Sequence, residues 1–180
     1  MKRDAAWRET VRQEIELWAD KVLAKPSDHF NGQPACPFAL PALRRKAVQI
    51  FFGGQHAVND ICRMWPNLSI ELALVVQDND EWCSEDIEQW CESMNETLSS
   101  QDLVLMPFVP SSNALTGQAE EETTDWEPLI EDEYTMVFVQ NLSALKNASD
   151  YLESKGYYQK CTSHFKEYVR HRSERLENAR

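Results

Sequence analysis

"AVQIFFGGQHAVNDICRMWPNLSIELALVVQ", residues 47–77, decides the fold. Its first six residues are rich in β-formers and stop at Gly53-Gly54, which predicts a strand over 47–52. Over residues 55–65, Ala57, Val58, Ile61, Cys62 and Trp65 fall on one side of a short helix. Pro66-Asn67 marks a turn, and "SIELALVVQ" (69–77) reads as a second strand. Its tail "LALVV" is apolar on both faces, as a central strand should be. A strand, a helix and a strand in succession favour parallel neighbours joined by a right-handed crossover.

Upstream of this unit, Trp7, Val11, Ile15, Trp18 and Val22 recur at helical spacing and form one apolar face, and Pro26 ends the helix. Residues 25–41 hold four prolines and a glycine and read as an irregular loop. Downstream, residues 78–102 predict a long helix with acids crowding its first turns, where the positive helix end favours them. Cys83, Ile87, Trp90, Met94 and Leu98 make its core stripe. "LVLMPFVP" (103–110) is a third strand, and Pro107 places it at a sheet edge. "YTMVFVQ" (134–140) is a fourth. A helix over 141–156 follows, capped by Asn141 or Ser143 and stopped at Gly156, and a last helix covers roughly 158–176. The expectation is an α+β chain, a single two-layer domain over 1–180 with a four-stranded mixed sheet, the alternative being a three-layer α/β arrangement. Residues 111–133 form a long acidic loop insertion.

The helix, the "CPFA" segment at Cys36–Ala39, the strand–helix–strand unit, the acidic turn, the helix and "VLMPFVP" together resemble the DUF1415 family. The likeness covers roughly residues 7–110 and departs beyond them. That family has no established activity, so the resemblance implies a layout and directs attention to Cys36.

Composition narrows the function classes. The net charge of −12 argues against a duplex nucleic-acid binder, which needs a concentrated positive surface. Eight carboxylates lie in 119–133 alone, interrupted by Trp126, Leu129 and Ile130, as in a lid or docking segment. "RRK" at 44–46 is a local basic patch. No window is apolar enough for a membrane span, and the first residues lack the apolar run of a signal peptide. Five cysteines, an odd number without a disulfide framework, suggest reduced thiols in a cytoplasmic protein. Cys83 and Cys91, eight apart on a helix, differ by about 80° and about 12 Å and cannot bridge.

Cys36 is the leading candidate for chemistry. With Pro37 at the first helical position, Cys36 would be the N-cap, where backbone N–H groups and Arg44, Arg45 and Lys46 stabilise a thiolate or an anionic ligand. His56 follows the glycine pair at the carboxyl end of a strand, the usual place for ligands in alternating β/α chains. A site of Cys36 and His56, with His29 from the same loop, is geometrically conceivable. Asp78 and Asp80 lie at the end of the best strand, as ligand-binding carboxylates or helix caps. Cys161, His164 and His171 read as a packed aromatic face with a basic rim rather than a metal site. The expected function is a small-molecule enzyme or ligand-binding domain with its pocket at the strand carboxyl ends near Cys36, its reaction, metal and cofactor unassigned. The alternative is a non-enzymatic protein that binds a basic partner through 119–133.

Overall fold

A computed structural model of the chain describes residues 3–78, 84–109 and 134–178. The insertion 111–133, Asp80 and Cys83 lie outside the described residues. Helix α1 (Ala5–Trp18) starts at Asp4, whose carboxylate accepts from the Trp7 N–H at 2.8 Å. Val11, Ile15 and Trp18 are buried as their spacing requires. The helix then widens into a π turn, Ala19–Leu23, closed by the Ala24 N–H on the Ala19 carbonyl at 3.0 Å. The extra residue of this turn brings Leu23 into the core and leaves Val22, the expected member of the stripe, only half-buried.

The loop that follows is more structured than its composition suggests. β1 (Pro26–Ser27) and β2 (Gln33–Pro34) pair antiparallel around a 3₁₀ turn at Asp28–Phe30. Helix α2 (Ala39–Arg44) is six residues long, and Phe38 occupies its N-cap position. The expected cap at Cys36 is thereby corrected: Cys36 sits in the turn before the helix. Pro41 falls in the first turn of α2, where its missing N–H costs nothing.

The main sheet has the order β3-β4-β6-β5, formed by β3 (Val48–Phe52), β4 (Leu72–Val76), β5 (Leu103–Phe108) and β6 (Met136–Asn141). β3 and β4 are parallel, and β6 runs antiparallel to both β4 and β5. One row across the sheet reads Phe51, Val75, Val137 and Pro107. The sheet is mixed and four-stranded, with β4 central and the proline strand at an edge, as the sequence predicts.

Alternation along the strands sorts the core into two halves. Ala73, Val75, Leu103, Leu105, Val137 and Val139 face α3 (Gln55–Met64) and α4 (Ser84–Leu98). Leu74, Val76 and Met136 face Val11, Ile15 and Trp18 of α1. Helices therefore cover both faces of this α+β sheet, the layering carried above as the alternative. Gly53 is required where β3 enters α3, because a Cβ there would stand 2.7 Å from Ala57 Cβ.

Two polar devices complete the frame. Asn95 of α4 reaches the free edge of β5: its Nδ2 donates to the Leu105 carbonyl at 2.9 Å, and the Leu105 N–H donates to its Oδ1 at 2.7 Å. The side-chain amide thus substitutes for a neighbouring strand at an otherwise unpaired edge. Helix α5 (Leu142–Ser154) is capped from a distance. Asp102, in the left-handed region at φ 58°, accepts from the Ser143 N–H at 2.7 Å and from Ser143 Oγ at 2.6 Å. Asn141 holds the cap position without bonding the helix itself. Gly156 ends this helix at φ 74°, and α6 (Ser163–Asn178) follows a 3₁₀ turn at Tyr157–Lys160. No helix among the described residues is long and apolar enough to cross a membrane.

Candidate functional site

A cavity of about 550 Å³ opens on the α1 side of the sheet. Its floor is Val48, Leu72, Leu74, Phe138 and Gln140. One wall is the end of α1 and its π turn, through Ile15, Trp18, Ala19 and Leu23. Cys36, Phe38, Ala39 and Ala42 of the following loop and helix extend that wall. The opposite wall is α5, through Ala144, Leu145, Ala148 and Tyr151. The cavity exists because α2 and α5 approach the sheet from two sides and present small residues, Ala39, Ala42, Ala144 and Ala148, where larger ones would fill the gap.

Val48 and Leu72 are the first residues of β3 and β4, so the cavity lies at their amino ends. The expectation of a pocket at the carboxyl ends is corrected by where α1 lies. The N-terminal half of that helix covers the carboxyl ends: Trp7 packs edge-on against Phe52 and Tyr134, with ring centroids 5.7 and 5.9 Å away. Arg12 stands over the Phe52 ring at 4.8 Å.

The candidate residues are accordingly dispersed. Cys36 and Arg45 line the cavity. Arg44 is exposed at the end of α2 and is not among the lining residues. His56 is exposed on α3, against the other sheet face and at the other strand end, so it forms no pair with Cys36. His29 stacks edge-on against Phe30 at 4.8 Å, within the hairpin. Asp78 is 2% exposed and is bound by the Arg8 guanidinium, a contact that fixes α1 to the end of β4. Arg8 and Leu23 are separated by roughly 20 Å of helix, which sets the distance between Asp78 and the Cys36 loop. Cys161 turns into the core beside Phe30 and Tyr157, and His171 is exposed between Glu167 and Glu174. Among the described residues no group of three or more His, Cys, Asp or Glu could hold a metal ion.

Burial pushes the Cys36 thiol up in pKa; the Phe38 and Ala39 N–H groups pull the other way without cancelling it. The expected thiolate is therefore not favoured at neutral pH. Beside it, Tyr157 Oη donates to the Ala35 carbonyl, and burial raises that phenol too. Cys62 and Cys161 are pushed up to about 11 and Cys91 to about 12, in each case first by burial.

Polar groups gather toward the opening. Arg45 and Glu71, the charged residues among those described in the lining, form a two-point ion pair in which Arg45 Nε donates to Glu71 Oε1 at 3.1 Å and Nη2 donates to Oε2. Their side chains are 50% and 60% exposed. Phe38 and Tyr151, both exposed, meet edge-on at 6.4 Å where the two walls come together. Sequence reasoning missed Tyr151 and the whole α5 wall; the alanines at helical spacing on α5 were the available signal. No family model, curated protein or solved structure matches this chain.

Proposed function

We propose that this protein is a small-molecule-binding domain whose ligand is largely apolar and occupies the cavity between the π turn, α2 and α5. The observation that carries the reading is the cavity itself: about 550 Å³, floored and walled mainly by aliphatic and aromatic side chains, with a few polar groups at its opening. Binding sites for small molecules have this size and this balance. The site is open to solvent, with Ala144 and Tyr151 of its α5 wall exposed, so its apolar lining is surface that a bound apolar ligand would bury. Two local features agree with it. The π turn is a rare backbone form that concentrates at functional sites. The Trp18 indole N–H is buried without a hydrogen-bond partner, a cost a wall built only for stability would not carry.

The test is thermal unfolding with a panel of apolar molecules. A true ligand at a hundred times its Kd adds about 2.7 kcal/mol, which for a domain of this size raises Tm by roughly 5–10 °C. Ala148→Phe, which fills the cavity from α5, is expected to abolish that rise while leaving the circular dichroism spectrum unchanged. Equal stabilisation of both proteins overturns the reading.

A further inference from the structure

We propose that the ligand is an amphiphile with a carboxylate head, which takes the place of Glu71 on the Arg45 guanidinium while its apolar body lies against Leu23, Leu74 and Phe138; this rests on the ligand-binding reading above. The Arg45–Glu71 pair stands at the opening of an otherwise uncharged lining, so the head of any ligand inserted body-first meets it. Arg45 already holds a carboxylate there in the two-point geometry that suits a planar fork. Glu71 thus marks the position a ligand carboxylate would take. The pair is open to displacement, because both side chains are half or more exposed and exposed pairs of this kind are weak. Glu71 stays anchored when displaced, since its backbone N–H donates to the Ala47 carbonyl at 2.8 Å.

The charge around the opening selects an anion. Arg44 and Lys46 adjoin Arg45 in sequence and are exposed, so the end of α2 carries three cations. A cationic head would meet this cationic helix end on its way to Glu71. The rest of the chain is strongly acidic, which makes this basic opening the local exception.

Isothermal titration at neutral pH with decanoate, decanol and decylamine decides the matter. Wild-type protein is expected to bind decanoate roughly fivefold or more tightly than decanol. Arg45→Met removes that preference. Glu71→Gln frees Arg45 from its internal competitor and is expected to tighten decanoate about two- to fivefold without changing decanol. A merely structural ion pair would give no such gain. Ala148→Phe abolishes binding of all three. If decanol or decylamine binds as well as decanoate, or Glu71→Gln leaves decanoate unchanged, the carboxylate inference falls and the cavity reading stands. If none of the three binds, both fall.

Discussion

Replacing Asn95 tests whether a side chain stands in for a missing strand. Both of its polar side-chain atoms serve Leu105, at 2.9 and 2.7 Å. Asn95 is 5% exposed and Leu105 2%, so water cannot substitute for either bond. Asn95→Ala leaves a buried N–H and a buried carbonyl unpaired, each costing about 1–3 kcal/mol. The expected loss is about 2–6 kcal/mol, out of about 5–15 kcal/mol for a whole domain. Urea unfolding followed by tryptophan fluorescence reads it as a lower midpoint at unchanged slope. Asn95→Asp adds a pH-dependent arm. One carboxyl oxygen can still accept from the Leu105 N–H, but the other must carry a proton to donate to the Leu105 carbonyl. Burial and that facing carbonyl raise the introduced group's folded pKa above its unfolded value near 4. The folded state then binds more protons, so the variant is most nearly native below about pH 4 and loses stability as pH rises through the folded pKa. A cost under about 0.5 kcal/mol for the alanine variant, or a pH-independent gap for the aspartate variant, refutes the edge-bridging argument.

Arg8→Met keeps the stem near Phe52 but strips the guanidinium from Asp78, at an expected cost of about 2–4 kcal/mol. Arg63→Met, taken from the exposed Asp60 pair, should cost under about 0.5 kcal/mol, and equal losses in chemical unfolding would sink the distinction. Cys62, Cys91 and Cys161 keep their protons to about 11 or 12 when folded but release them near pH 8.5–9 when unfolded. Stability is therefore full below about pH 9 and declines above it; a flat unfolding midpoint between about pH 8 and 10.5 contradicts this. Lys46 follows α2 in the left-handed region at φ 58°, so Lys46→Gly should raise stability by up to about 1 kcal/mol, visible as a higher Tm. Among Cys36, Cys62, Cys91 and Cys161, iodoacetamide should label Cys36 first, because it alone of these is partly exposed, yet more slowly than free cysteine. Mass mapping that finds Cys91 labelled ahead of it is the contrary result.

The strands were legible because the signals that specify them are local. "LALVV" is apolar at every position, and that alone places β4 in the middle of a covered sheet. Pro107 marks β5 as an edge for the equally local reason that it lacks an N–H. The cavity left no such trace. Its walls come from Ile15 to Ala42 and from Ala144 to Tyr151, and a void is a property of how distant elements meet. The position of Asp78 after a strand makes it a ligand or cap candidate; what fixes its role is Arg8, seventy residues away in sequence. The sequence starts α2 two residues too early because Pro37 is a good first helical residue, whereas the chain makes a further turn and starts α2 at Ala39. Asn95 could have been noticed. It falls four residues after Cys91 on the buried side of α4, and a polar residue there must find a partner.

The position of β6 bears on the order in which the chain is made. β6 lies between β4 and β5, yet it leaves the ribosome after both. At ordinary elongation speeds, roughly 1–5 s of synthesis separate Phe108 from Met136. During that interval β4 and β5 flank a slot about 10 Å wide, two strand spacings. They run in the same direction and are joined through α4, so nothing in the crossover rule prevents them from pairing with each other. The nascent chain can thus form an all-parallel β3-β4-β5 sheet that is locally sound and globally wrong. Wherever that pairing forms first, β6 has to separate β4 from β5 to reach its place. A stall between Phe108 and Met136 would lengthen the life of this trap, and faster translation through those codons would shorten it.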